Sequence, residues 1–234
     1  MVRIKSNGFR LATYGVCLLP LTLLAYWLRQ DFAGFAPLEG WSMILGYLSF
    51  LLIGVTLLLG PMSVWLPPSW KAPLLSARGD VGIIAGLCGL LHVALVLVLF
   101  QGEPRLMIID DSHAPKAEGW LGLFFLSFPH EESLIPNWSR TGVANYLGLC
   151  AAAILLTLFL TSFQIVKKRL GGSSWKRLHL GNPLLFLLVI FHALIYIQSI
   201  KGEPHSFADF LWFAAIVWIA RGVGFLHNVF RRKR

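Results

Sequence analysis

Six long apolar segments recur along the chain, near residues 11–28, 41–62, 81–100, 142–163, 182–200 and 207–226. Each approaches or exceeds the roughly 20 residues that an α-helix needs to cross about 30 Å of hydrocarbon. Charged residues fall mainly between these segments. The pattern therefore predicts an all-α integral membrane protein, in which a six-helix bundle forms a single transmembrane domain over residues 1–234.

Composition agrees with this interpretation, because 56% of the residues are hydrophobic and only 13% are charged. A soluble globular domain rarely reaches such values. The first apolar segment follows Arg3, Lys5 and Arg10, as a signal peptide would, but no small-residue cleavage site follows it. It ends in Trp27 and Arg29, which are typical of an interface anchor. We interpret it as a retained helix.

The net charge of +9 is distributed unevenly between the two sides of the predicted bundle. Basic residues that flank the helices mark the cytoplasmic side, whereas nucleic-acid binding would need them on one soluble surface. The arrangement predicts cytoplasmic N and C termini and a multi-pass protein of the bacterial inner membrane, with lipid and not nucleic acid as its surroundings. The basic group comprises Arg3, Lys5, Arg10, Lys71, Arg78, Lys167, Lys168, Arg169, Lys176, Arg177 and Arg231 to Arg234.

An internal repeat becomes visible when the chain is compared with itself at an offset of one hundred residues. The second and third predicted helices then align with the fourth and fifth, and His92 aligns with His192. Gly-Glu-Pro follows each histidine ten residues later, at 102–104 and 202–204, and proline there favours a helix end. Ten residues correspond to about 15 Å, so both histidines are predicted at one depth below the outer surface.

A histidine within the bilayer costs several kcal/mol (~3) unless it has a partner, so both residues are functional candidates. Each one by itself is typical of an interhelical hydrogen bond. Together, at one depth on repeat-related helices, they predict a haem between the third and fifth helices with His92 and His192 as axial ligands. Two neutral imidazoles give a six-coordinate iron suited to one-electron transfer.

The other polar residues leave alternatives open. His179, thirteen residues before His192, is a second haem ligand, part of an inner flavin or quinone site, or a histidine that reaches the lipid interface; its repeat counterpart is Gly79. Arg221 lies near the cytoplasmic interface and pairs with lipid phosphate, a haem propionate or a flavin phosphate. Surface positions are expected for His113, His130, His205 and His227, and apolar packing for Cys17, Cys88 and Cys150.

Residues 101–141 form the only long segment outside the predicted membrane helices. Their middle, residues 119–128, is aromatic and too short to span, so we expect it to lie along the outer interface. It is interpreted either as an amphipathic cover for the bundle or as a docking surface for an electron acceptor.

Several motifs resemble the ferric-reductase-like transmembrane family. They are Arg78-Gly-Asp-Val-Gly82 followed by His92, Thr141-Gly142, Thr161-Ser162, and Trp175-Lys-Arg-Leu-His179 leading to His192. The resemblance covers about residues 40–200. The family includes ferric reductases, NADPH oxidases and the haem-binding membrane subunit of bacterial methionine sulfoxide reductases (MsrQ or YedZ).

This resemblance implies haem b, with His92, His179 and His192 as the ligand set and with one or two haems bound. It also implies that Arg78, Trp175, Arg177 and Arg221 contact a cofactor, which includes FMN or quinone among its candidates. The third helix supplies only His92, as in the MsrQ-like members, because Gly79 stands where a second ligand is expected.

The leading hypothesis is therefore an oxidoreductase component that passes electrons across the membrane. A separate cytoplasmic flavin reductase or quinol supplies them, and ferric iron or a periplasmic acceptor protein receives them. One rival is a non-redox transporter or structural subunit whose histidines are interhelical hydrogen bonds or proton relays, which intramembrane carboxylates would favour. Asp80 and Asp209 are both expected near helix ends. The other rival is a quinol-oxidising cytochrome b.

Overall fold

The computed structural model describes residues 2–101, 117, 119–128, 133–198 and 204–232. Helices dominate this part of the chain. They are α1 (Val2–Asp31), α2 (Pro37–Trp65), α3 (Pro68–Leu99), α4 (Arg140–Ser162), α5 (Gln164–His179), α6 (Asn182–Tyr196) and α7 (Pro204–Arg232).

Each of the six predicted segments corresponds to one helix, namely α1, α2, α3, α4, α6 or α7. By length and apolar composition α2, α3, α4 and residues 208–227 of α7 are able to cross a membrane, and the bent pair α5–α6 makes a fifth span if it is counted as one. The chain is thus a mostly helical, multi-pass membrane protein. A count of six crossings and the cytoplasmic location of the termini stay predictions.

The bundle core is centred on stacked aromatic rings that join three helices. Phe50 of α2 stacks on Phe210 of α7 with ring centroids 4.0 Å apart, and on Phe186 of α6 at 5.3 Å. At most 2% of each side chain is exposed. Offset or tilted stacking adds to the gain from apolar packing, so this cluster fixes α2 against α6 and α7.

Glycines allow the helices to approach closely. A Cβ atom at Gly54 of α2 would lie 2.4 Å from the ring of Phe213 on α7, and one at Gly89 of α3 would lie 2.4 Å from Leu155 on α4. Small residues are common at membrane helix interfaces because they let backbones approach and side chains interlock. The two glycines therefore set the α2–α7 and α3–α4 contacts.

The basic segment predicted as a loop between the fourth and fifth spans forms an additional helix, α5. It contains Gly171 with φ of 75°, a left-handed conformation that favours glycine. Beyond His179, α6 departs at 45°. His179, at the end of α5, and His192, on α6, therefore lie on different helices. Gly181 and Pro183 give the break its physical cause, because proline cannot donate to the preceding turn.

The described part of the outer segment that precedes α4 is not α-helical. A 3₁₀ turn (Gly119–Leu123) precedes an antiparallel hairpin of β1 (Phe125–Ser127) and β2 (Leu134–Pro136). This short hairpin leaves the protein mostly helical, consistent with the all-α prediction. The indole of Trp120 donates to the carbonyl of Leu97 at 2.8 Å, which ties the segment to the end of α3. That contact supports its interpretation as a cover, while its use for docking stays a prediction.

Two polar residues lie deeper than predicted. Asp80 is well inside α3, only 4% exposed, and accepts a hydrogen bond from the Tyr14 hydroxyl at 3.2 Å. It was expected near a helix end because the apolar run starts at residue 81, whereas α3 begins at Pro68. His227 lies near the end of α7 and is half-buried, with its Nδ1 atom buried. His113 and His130 lie outside the described residues, as does the side chain of His205.

Replacement of Gly54 by alanine should destabilise the bundle. The new methyl group would overlap the Phe213 ring, and overpacking of this kind costs about 1–3 kcal/mol. Thermal unfolding of the detergent-solubilised protein measures the effect. Gly222→Ala on α7 is the control, because nothing lies within 4 Å of a Cβ atom there. Equal stability of the two variants would contradict the proposed α2–α7 contact.

Candidate functional site

His92 on α3 points its ring at the neighbouring helix α2. Its Nδ1 atom lies 2.8 Å from the carbonyl oxygen of Ser42 and 3.0 Å from the Ser42 hydroxyl. One turn further along α2, a Cβ atom on Gly46 would lie 3.2 Å from the same nitrogen. The imidazole thus occupies space that a larger residue at position 46 would fill.

His192 on α6 has the same relation to α4. Its Nδ1 atom lies 2.8 Å from the carbonyl oxygen of Ala144. A Cβ atom on Gly148 would lie 2.9 Å from both Nδ1 and Cε1 of the ring. The second histidine is therefore held by a carbonyl and a glycine four residues later, as the first one is.

This equivalence refines the internal repeat. The histidines are one hundred residues apart, whereas Ser42 and Ala144, like Gly46 and Gly148, are 102 apart. The register predicted for the second and fourth helices was therefore displaced by two residues at this level. The structural repeat consists of a helix that offers a carbonyl and a glycine, followed by a helix that carries the histidine.

The hydrogen bonds determine which ring nitrogens are available. A backbone carbonyl can only accept, so each Nδ1 carries the hydrogen and each Nε2 keeps its lone pair. In the described part of the chain, α3 packs on α2 and α4, and α6 packs on α4 and α2, but α3 and α6 do not pack closely together. Each histidine thus keeps one ring nitrogen, Nε2, that is able to coordinate a metal.

These features fit an iron porphyrin. Metal-bound histidines usually donate their second ring N–H to a carbonyl or a carboxylate, which fixes the ring and increases its basicity. Both histidines already have that arrangement, and Gly46 and Gly148 supply the space beside each ring.

Each histidine lies near one end of its helix. His92 is seven residues, or about 10 Å, before Leu99 at the end of α3, and His192 is four residues, or about 6 Å, before Tyr196 at the end of α6. Of the Gly-Glu-Pro motifs, only Pro204, which begins α7, lies within the described residues.

A polar chain that the sequence analysis missed extends from His192 to the outer segment. The ring of Tyr196 packs on the His192 ring with centroids 5.0 Å apart, and its hydroxyl donates to the Asn145 side chain. The Asn145 amide then donates to the Leu123 carbonyl at 2.8 Å. The available signal was the four-residue spacing of His192 and Tyr196, which places both on one helix face.

A cavity of about 380 Å³ opens at the same end of the bundle. Val143 precedes Ala144, whose carbonyl accepts the hydrogen bond from His192, and Ile195 follows His192 by three residues. The cavity therefore lies about one helical turn from the histidine. Its lining residues are Trp138, Arg140, Val143, Ile195 and Gln198.

At the opposite end, His179 belongs to a separate cluster. Its Nε2 atom lies 3.3 Å from the Thr161 hydroxyl, and its ring packs on Trp175 at 4.2 Å. Trp175 donates to the Thr161 carbonyl at 3.0 Å, and the Lys167 ammonium lies 4.2 Å from the Trp175 ring centroid. Thr161 and Trp175, both parts of family-like motifs, therefore position His179.

Cationic side chains gather at this cluster. Arg78 interacts electrostatically with His179 and with Arg221, so α3, α5 and α7 each contribute a basic group. Both arginines are partly buried, and within the described residues no carboxylate forms an ion pair with either. Two like charges that are partly buried near each other repel, which favours an anionic ligand here. Arg177 lies apart, exposed on α5 and 3.4 Å from the Ser173 hydroxyl.

Apolar helices, and two histidines that each bond to a carbonyl of a neighbouring helix, characterise this multi-pass membrane protein. Residues 45–190 match the family described as ferric reductase like transmembrane component. That match covers more than half of the chain, and the chain belongs to this family.

Individual relatives agree with this assignment. The chain is 24% identical over 218 residues to the protein-methionine-sulfoxide reductase heme-binding subunit MsrQ of Ralstonia nicotianae, covering 93% of this chain and 84% of that protein. It is 36% identical over 76 residues to the magnetosome protein MamZ of Paramagnetospirillum magneticum, and 34% to MamZ of Magnetospirillum gryphiswaldense. These two matches cover 31% of this chain but only 12% of each magnetosome protein.

Loss of the Tyr196 hydroxyl should loosen the link between α6 and the outer segment. Tyr196→Phe removes the hydrogen bond to Asn145, and such bonds within membranes contribute about 1 kcal/mol. We expect a lower unfolding midpoint in detergent. Tyr26→Phe, at an exposed position on α1, is the matched control. An unchanged midpoint for Tyr196→Phe would mean that this bond does not stabilise the fold.

Proposed function

We propose that this chain binds haem b and transfers electrons across the membrane, with His92 and His192 as the axial ligands. The observation that carries the proposal is the matched surroundings of the two rings: each Nδ1 is bonded to a helix carbonyl, and a glycine four residues later lies beside each ring. The haem-binding subunit among the relatives, which the chain resembles over most of its length, supports the same proposal.

The bound group would supply a centre that accepts and releases one electron. The chain's own residues do the rest of the work. His92 and His192 would hold the iron between them and leave no open position for a substrate, so the centre would serve electron transfer alone. Apolar helix walls exclude water, and the carbonyls of Ser42 and Ala144 keep each ring in one tautomer and one orientation.

Electrons would enter from the cytoplasmic side, where the cluster of Arg78, His179 and Arg221 lies. Fourteen residues of α3, about 21 Å, separate Arg78 from His92, which leaves room for an inner cofactor. FMN is the favoured candidate, since paired arginines suit a phosphate and Trp175 suits a planar ring. A quinol or a separate flavin reductase is the alternative donor.

A second haem is less well supported than a single one. It would need a ligand opposite His179, and the repeat places Gly79 there. A Cβ atom on Gly79 would meet nothing within 4 Å, so the position offers space but no coordinating group. His179 is therefore proposed to serve the inner cofactor rather than a second iron.

On the outer side, the cavity beside Trp138 and Gln198 offers a place where an acceptor approaches His192. The electron acceptor there is either ferric iron or a periplasmic protein partner. The resemblance to MsrQ favours a protein partner. The protein would then be the electron-delivering component of a reductase system in the bacterial inner membrane.

A non-redox transporter is the second candidate function, and buried Asp80 is the observation that favours it. An intramembrane carboxylate with a tyrosine partner is typical of a proton or ion path. In that case the histidines would act only as interhelical hydrogen bonds.

Haem binding separates these candidates. We expect His92→Ala and His192→Ala each to abolish the bis-histidine absorption and electron paramagnetic resonance signals, because one remaining imidazole cannot hold a low-spin, six-coordinate iron. His179→Ala should retain them, and His227→Ala is the control for an unrelated, half-buried histidine. Purified wild-type protein without any haem spectrum, after expression with ample haem, would end the redox proposal.

The inner cluster should bind FMN through its phosphate. Arg78→Gln and Arg221→Gln are each expected to weaken FMN binding about tenfold, or ~1.4 kcal/mol, as measured by quenching of flavin fluorescence. Riboflavin, which lacks the phosphate, should bind all variants equally. Arg169→Gln, exposed on α5, is the control. If FMN affinity stays unchanged in both variants, the arginine pair does not hold this cofactor.

A further inference from the structure

The two histidines are not held identically. His192 has one acceptor at Nδ1, the Ala144 carbonyl, whereas His92 has two, the carbonyl and the hydroxyl of Ser42. Ser42 and Ala144 occupy equivalent positions in the repeat, since a glycine that faces the ring follows each by four residues. The two halves of the chain therefore differ at one equivalent position, with a serine beside His92 and an alanine beside His192.

Iron coordination decides how the Ser42 hydroxyl acts. When Nε2 binds iron, Nδ1 must carry the hydrogen, and both Ser42 oxygens can only accept from it. The N–H is then shared between acceptors at 2.8 Å and 3.0 Å. Ser42 is only 3% exposed, so water does not compete for these bonds.

A second hydrogen-bond acceptor at Nδ1 moves electron density toward Nε2. The imidazole then becomes a stronger electron donor to the iron. A stronger donor stabilises ferric iron more than ferrous iron, which lowers the reduction potential. We propose that Ser42 is a positioning residue that lowers the potential of the haem through His92 and makes the two axial ligands inequivalent. This inference rests on the proposed haem function, and it assigns the adjustment of the haem reduction potential to one side chain.

Potentiometric titration of the haem-loaded, detergent-solubilised protein tests it. Ser42→Ala should retain haem and its bis-histidine spectrum, while the ferrous-to-ferric ratio at a fixed ambient potential rises about threefold. At 59 mV per tenfold for one electron, this corresponds to an upward shift of about 28 mV. Ser42→Thr keeps the hydroxyl and should restore the wild-type value.

The reciprocal variant Ala144→Ser places a hydroxyl at the equivalent position beside His192. It should lower the reduction potential of the haem by a similar amount. This variant keeps the test decisive if Ser42→Ala does not fold. Ser49→Ala is the control, because Ser49 is also buried on α2 but donates to the Ala85 carbonyl at 2.9 Å and has no bond to a histidine.

Two results would overturn the inference. One is an unchanged potential in both Ser42→Ala and Ala144→Ser with haem still bound. The other is a shift of equal size in Ser49→Ala, which would attribute the change to general packing of α2. Failure of the wild-type protein to bind haem would instead contradict the proposed function, so the two failures are distinguishable.

Discussion

The hydrogen bond from each histidine Nδ1 to a backbone carbonyl on a neighbouring helix is the interaction on which the arrangement of the site depends. An imidazole N–H in an apolar bundle must find an acceptor, and helix carbonyls retain a second lone pair after bonding within their own helix. Donation to Ser42 on α2 and to Ala144 on α4 satisfies this need. It also orients both rings and exposes the nitrogen that can coordinate a metal.

Glycine makes that interaction geometrically feasible. A ring approaches a helix carbonyl closely only if the next turn lacks a side chain on the same face, and Gly46 and Gly148 meet this condition. Elsewhere, Gly54 and Gly89 bring helices together around bulky side chains. The same residue type thus performs two tasks, one in the packing of the bundle and one in the placement of the ligands.

The two ends of the bundle differ in their chemistry. The end near His192 is connected to the outer segment by Tyr196 and Asn145 and opens into a cavity. The other end concentrates basic groups around His179, held by Trp175. A protein with unlike ends and paired histidines between them is suited to directional electron transfer, and membership of the ferric reductase like transmembrane family agrees with that proposal.

Periodic apolar runs were sufficient to locate the membrane helices, because burial in lipid demands nearly continuous apolar sequence. The same sequence identified His92 and His192 as a pair, since the repeat aligns them. It did not reveal that α5 is a separate helix, because a basic amphipathic segment lacks the apolar signal of a span. Only the tertiary structure decided which carbonyl meets each ring, that Tyr196 packs on His192, and that Arg78 and Arg221 converge from distant parts of the chain. These contacts depend on helix rotation and on close approach at glycines, and neither is specified by residue type along one helix.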